Sequence, residues 1–238
     1  KIDNLWHLIH SPSAGTTDMR YATAMAGPYK PPASPNIDTP LLYAAKRMFD
    51  GKRHIIHGWI RDLGGDIDGG DFQWGGDLCV AREVYAGADG QLLFRPAPEI
   101  VSVFGKTLTD LAAPPVDTPI TVPDNYMLEA TIQLPKDGQV AINFREQSTP
   151  RSGYRLILRA DKQEATFQGA TFDYPRHVAL DTSKPIQIHA FVQGSIIEAF
   201  INDAYAFTCR AYDLRSGALT FRTLQGDTKI EHAVIKSP

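Results

Sequence analysis

Apolar residues in this chain come in short runs of roughly four to eight, each closed off by glycine or proline, which is the rhythm of consecutive β-strands. The clearest runs cover residues 5–9, 54–60, 78–85, 126–134, 139–144, 154–160, 186–192, 196–202 and 218–222. Several alternate with period two. In one of them Leu128, Ala130, Ile132 and Leu134 take one side, and Met127, Glu129, Thr131 and Gln133 the other. Such a strand covers a core with one face and meets water or another layer with the other. Residues 41–49 are ambiguous, because Leu41, Leu42, Ala45, Met48 and Phe49 also fit one face of a helix, and periodicity leaves both forms open.

A boundary is visible over residues 100–122, where Pro114, Pro115 and Pro119 separate two strand-rich regions. Beyond it, strands recur about every ten residues, which predicts a β-sandwich. The region before it is rich in aromatic residues and glycine and has no evident partner for its strand edges.

Composition narrows the field of partners. Of 238 residues, 24 are Lys or Arg and 27 Asp or Glu, a formal net charge of −3, so neither nucleic acid nor an anionic membrane surface is an expected partner. No run approaches the ~18 apolar residues of a membrane-spanning helix. The two cysteines, Cys79 and Cys209, show no metal or redox spacing and are expected as buried free thiols. Nothing here fixes a compartment.

The candidate chemistry is sparse. The stretch DLGGDIDGGDF places Asp62, Asp66, Asp68 and Asp71 in a glycine-rich loop, which reads either as a solvated loop or as oxygen ligands for a cation such as Ca²⁺. His7 and His10, and His54 and His57, are three apart on expected strands; that spacing sends the rings to opposite faces and argues for structural roles. There is no phosphate-binding glycine loop, nucleophile elbow or HExxH motif. Trp59 and Trp74 each stand where a strand meets a glycine-rich turn, either as core residues or as platforms that stack on a sugar ring. Asp38, Glu83, Glu99 and Glu198 are available as acid and base for glycosidic cleavage, though spacing alone pairs no two of them.

Three segments, IDTPLLYAAKRMFDGKRHIIHGWIRD, WGGDLCVAREVYAGADGQLLFRPAPEI and IHAFVQGSIIEAFINDAYAFTCRAY, taken in this order, resemble the second half of β-fructosidases of glycoside hydrolase family 32, the invertase, levanase and inulinase group. Residues Tyr43 to Lys46 resemble the family's Y-A-S/P-K/Q segment, and Asp38 the Asp a few residues before it that lines the sugar site. Trp59 resembles the tryptophan of the family's G-W-I/L motif near the substrate pocket. WGGDLCVARE is similar to a blade motif in which proline is usual where Ala81 stands, with Arg82 and Glu83 knitting the blade together. QGSIIEAFIN resembles a signature of the sandwich, with Gln193 in place of the usual Asp.

The resemblance implies an all-β fold: residues 1–103 as the last blades of a five-bladed β-propeller, and residues 104–238 as a β-sandwich. It implies hydrolysis of fructosyl bonds in sucrose or fructans with retention, and substrate contacts from Asp38, Tyr43, Trp59 and Trp74. Such chemistry uses carboxylates and no redox or organic cofactor. The family's nucleophile motif W-x-N-D-P-N-G, its R-D-P motif and its acid/base E-C or E-x-P-D motif do not occur here, so none of the chain's residues is assigned a catalytic role. The expected partners are therefore a fructoside and an N-terminal half of the same protein that supplies those carboxylates. Two other readings stay open: a five-bladed propeller glycosidase acting on arabinan or xylan, and a non-catalytic carbohydrate-binding or structural module.

Overall fold

A computed structural model describes residues 1–12, 15–147 and 152–238. The alternating runs become strands, and every strand pairing among the described residues is antiparallel. The chain opens with a two-stranded ribbon, β1 (Trp6–His10) and β2 (Asp18–Ala22). A sheet in the order β3 (Leu42–Phe49), β4 (His54–Leu63), β6 (Arg82–Ala86), β7 (Leu92–Pro96) follows, with β5 (Phe72–Leu78) paired to the far half of β4. The short helix α1 (Pro98–Val103) leads out of it, with Pro98 in its first turn, where a missing N–H costs nothing.

The ambiguous segment 41–49 is a strand. Its register is set by Tyr43 opposite Trp59 and Lys46 opposite His57, with a bulge between them where Ala44 has φ 51°. Gly58 makes the pairing possible: a Cβ there would lie 2.6 Å from a Leu42 methyl, so only glycine admits the Leu42 side chain.

The remaining strands form a sandwich. One sheet runs in the order β16 (Tyr205–Arg210), β15 (Ile196–Ile201), β14 (Ile186–Gln193), β9 (Tyr126–Gln133), β18 (Lys229–Ser237), β8 (Lys106–Ala112). The other runs β13 (Asp173–His177), β12 (Glu164–Gln168), β11 (Tyr154–Arg159), β10 (Gln139–Glu146), β17 (Ala218–Gln225). Their facing sides bury Leu128, Ile142, Phe144, Phe167, Val192 and Phe207 in one core. The period-two alternation then sends Met127, Phe191, Phe200 and Ala206 out of the opposite side of the six-stranded sheet, where they join Leu42, Ile56, Ile60, Val84 and Phe94 in a second core. The N-terminal sheet thus packs one face on the sandwich.

Polar groups set the register of that packing. Arg82 on β6, 1% exposed, donates Nη1 to Asp38 Oδ2 at 2.5 Å and Nη2 to Glu198 Oε2 on β15 at 2.6 Å and to Thr208 Oγ1 on β16 at 2.9 Å. Burial on its own would drive the guanidinium to release its proton, but the two carboxylates outweigh it and hold Arg82 charged. Arg210 on β16 reaches the other way, to Asp62 and Asp77 at 2.8 Å each and to the carbonyls of Ile60 and Arg61 at 2.9 Å each. Arg176 on β13 bridges the carbonyls of Ala206 and Asn36. Both cysteines are free and buried.

Arg82→Ala leaves two buried carboxylates without their cation, so a loss of about 3–5 kcal/mol is expected, read as a fall in the urea midpoint. Arg82→Lys should recover little of it, because one ammonium cannot fork between two carboxylates as a guanidinium does.

Candidate functional site

The sheet's other face is not covered by the sandwich. On β4 the side chains of Ile55, His57, Trp59 and Arg61 project from it, opposite the buried row of Ile56, Gly58 and Ile60. Cross-strand pairing places Tyr43 and Leu78 on either side of Trp59 on this same face. The rings of Tyr43 and Trp59 meet edge to face at 6.0 Å, and those of Trp59 and Trp74 at 5.3 Å. Three of the four expected sugar-contacting residues are therefore contiguous, forming an aromatic wall on three different strands. Trp59 is held by its indole N–H, which donates to Gly75 O at 2.7 Å, whereas Trp74 is 91% exposed.

The close approach of β5 to this wall depends on Gly76, whose φ is 138°. A Cβ there would sit 2.1 Å from Ile60 O and 2.5 Å from Trp59 Nε1, so a side chain would push the indole out of place.

Asp38, the fourth expected contact, stands apart. It is 1% exposed in the interface with the sandwich, with Oδ1 accepting from the backbone N–H groups of Thr39 and Thr208 and Oδ2 from Arg82 and the Thr208 hydroxyl. The other carboxylates proposed for acid and base work are also held by arginines: Glu198 by Arg82, Glu83 by Arg53 and Arg95, and Glu99 by Arg53.

Sequence reasoning missed Arg61. Arg61 is only 6% exposed, and its guanidinium carbon lies 3.9 Å from the ring centre of Tyr43 and 4.3 Å from that of Phe72. It donates to Gly15 O at 3.1 Å, and burial pulls its proton affinity down. The period-two count that places Trp59 on this face also places Arg61 there, so the signal was present. Next to the wall, a cavity of about 450 Å³ is lined by Met48, Phe49, Ile55, His57, Ala97 and Ile100.

The acidic loop is pinned to the sandwich. Asp68 accepts from the Tyr154 hydroxyl at 2.6 Å and from the backbone N–H of Tyr212 at 2.7 Å, while Asp62 pairs with Arg210. Among the described residues no three His, Cys, Asp or Glu side chains cluster in a way that would hold a metal ion.

Comparison with known proteins agrees with this architecture. Residues 121–237 match the family described as glycosyl hydrolases family 32, C terminal. Exo-inulinase from Aspergillus awamori superposes with a TM-score of 0.75 at 16% identity, over 98% of this chain and 52% of that one. Fructan 1-exohydrolase IIa from Cichorium intybus gives 0.71 at 14%, over 98% and 60%, and sucrose-6-phosphate hydrolase from Lactobacillus gasseri gives 0.72 at 16%, over 94% and 48%. At these identities the likeness is one of fold, and the chain spans about half the length of the solved structures it matches. A stretch of 74 residues is 43% identical to part of a putative S-adenosyl-L-methionine-dependent methyltransferase from Mycolicibacterium smegmatis, covering 31% of this chain and 22% of that protein.

Two outcomes are expected from these contacts. Trp74→Ala removes an exposed ring and should change stability by less than about 0.5 kcal/mol, whereas Gly76→Ala should lower the thermal midpoint and shift the fluorescence of Trp59. Burial raises the Asp68 pKa despite its hydrogen bonds, so the native state binds that proton more tightly than the unfolded chain. The stability it contributes is present below the ordinary carboxylate pKa of about 4 and is lost as pH rises through the raised value. Urea midpoints across that range should therefore fall for the natural chain relative to Asp68→Asn.

Proposed function

Residues 121–237 are a C-terminal domain of glycosyl hydrolases family 32, and from that premise we propose that the chain is the C-terminal half of a β-fructosidase-like glycoside hydrolase. In this reading residues 104–238 are the sandwich. Residues 1–103 are the last part of a five-bladed propeller, with β3, β4, β6 and β7 as one blade and β1 and β2 belonging to the blade before it.

The observation that carries the proposal is the aromatic wall. Tyr43, Trp59 and Trp74, brought together from β3, β4 and β5, offer stacking surfaces for a furanose or pyranose ring beside an open sheet face. Asp38, with both oxygens engaged, serves the site by fixing the approach into β3, so that Tyr43 meets Trp59. The substrate class comes from the solved structures of like fold, which act on inulin, fructan and sucrose 6-phosphate by their descriptions.

Retaining cleavage needs a nucleophile and an acid/base carboxyl about 5–5.5 Å apart, one ionised and one protonated. Asp38, Glu83, Glu99 and Glu198 are each locked to arginine, an arrangement that occupies the oxygens a substrate would need. The reaction therefore draws its carboxylates from another part of the protein, and this chain supplies aromatic contacts and a rigid support.

The 238-residue chain assayed alone should release no fructose from sucrose, inulin or levan. Joined to the part of the protein that supplies those carboxylates, the chain should support fructose release, and the first product should keep the anomeric configuration by NMR. Turnover of fructosides by the homogeneous chain alone would refute the proposal. Arabinose release without fructose release would move it to the arabinan class. Trp74, at 91% exposure, also suits a binding module; saturable fructan binding with no turnover in any preparation would select that reading.

A further inference from the structure

The acidic loop and the sandwich enclose a cavity that the aromatic wall does not use. It measures about 210 Å³ and lies where the loop meets the turn between β12 and β13, lined by Asp68, Asp71 and Phe72 from the loop and by Thr171, Phe172 and Tyr174 from the sandwich.

Both of its sides are built in advance. On the loop side Gly64 N–H donates to Asp71 O at 2.8 Å and Gly70 N–H to Ile67 O at 3.1 Å, which closes the loop on itself. Gly70 permits that closure, since a Cβ there would lie 2.3 Å from Gly64 O. Asp68 then ties the loop to Tyr154 and Tyr212 of the sandwich. On the sandwich side the rings of Tyr154, Phe172 and Tyr174 stack in turn, 6.3 and 4.8 Å apart and each pair 16° from parallel, and Gly169 N–H donates to Phe172 O at 3.0 Å. A ligand entering such a cavity has little left to order.

The lining selects the class of ligand. Asp68 spends its oxygens on the sandwich, whereas the Asp71 carboxylate has no ion pair or hydrogen bond among the described residues. Thr171 and Tyr174 add hydroxyls, and Phe72 and Phe172 add apolar ring surface. Among the described residues no Lys or Arg lines the cavity, so an anionic ligand would meet only repulsion from the carboxylates. A charged acceptor, neutral hydroxyls and flat apolar surface together suit a neutral polyhydroxy ring. Phe72 also joins the cavity to the aromatic wall: its ring lies 4.3 Å from the Arg61 guanidinium, which lies 3.9 Å from the ring of Tyr43, which in turn meets Trp59.

We propose that this cavity is a second carbohydrate subsite, in which Asp71 accepts hydrogen bonds from a sugar unit further along the same chain than the unit at the aromatic wall. The proposal rests on the functional reading above and narrows its substrate from a disaccharide to an oligomeric or polymeric fructan.

Isothermal titration of the 238-residue chain with sucrose and with hexasaccharides of inulin, arabinan and xylan tests it. The inulin hexasaccharide should bind at least about tenfold more tightly than sucrose. Asp71→Ala, at an exposed position, and Thr171→Arg, which fills the cavity from the opposite side, should each cut the hexasaccharide affinity at least about fivefold with sucrose binding and the thermal midpoint unchanged. Equal affinity for sucrose and the hexasaccharide, a preference for length that survives both substitutions, or no binding of any hexasaccharide would overturn the proposal. The same dependence on length and on Asp71 with the arabinan or xylan hexasaccharide, and none with inulin, keeps the subsite and removes the fructoside reading. Fructose release by the chain joined to the part that supplies its carboxylates, with KM for inulin unmoved by Asp71→Ala and Thr171→Arg, does the reverse.

Discussion

The structure turns on one buried cation. Arg82 joins the turn before β3, through Asp38, to two strands of the sandwich, through Glu198 and Thr208, in a space closed to water. A charge there is tolerable only while both carboxylates stay within reach, so the pairing fixes how far the N-terminal sheet can slide or rotate on the sandwich. Everything on the opposite face inherits that position. Leu42 enters the notch at Gly58 because the segment from Asp38 is anchored, and Tyr43, the next residue, therefore points at Trp59.

The same sheet has two contrasting sides. The side toward the sandwich is filled with Ile56, Ile60, Val84 and Phe94 and locked by arginines that find carboxylates or carbonyls. The far side is also apolar along β4 at Ile55 and Trp59, with aromatic rings at one end, a cavity lined by both apolar and charged residues at the other, and an arginine stacked on two rings.

Much of this was legible in the residue order, for reasons that mark where such reading stops. The alternation around Met127 and Leu128 predicted a strand, and both of its faces proved buried in different cores, because period two reports orientation and not the identity of the neighbour. Residues 41–49 could not be assigned by period alone; the decisive fact is a glycine sixteen residues on, at position 58, that makes room for Leu42. Trp59 and Trp74 could be flagged singly, but their contact depends on the backbone turning through Gly75 and Gly76. The acids were hardest. Arg82 and Glu198 are 116 residues apart in sequence, so nothing local distinguishes a carboxylate held for structure from one free for chemistry.

Arg210 has a consequence beyond stability. It grips no side-chain motif alone but the backbone carbonyls of Ile60 and Arg61, which are present whatever the sequence of β4. Strand β4 can therefore drift in its outward residues while the sandwich keeps hold of it. The dependence is one-sided: a sandwich recombined from a relative leaves two carbonyls stranded in the interface unless it brings an arginine to the same place. The two halves of the chain are thus free to diverge in sequence but not to exchange partners, which binds them into a single unit of inheritance.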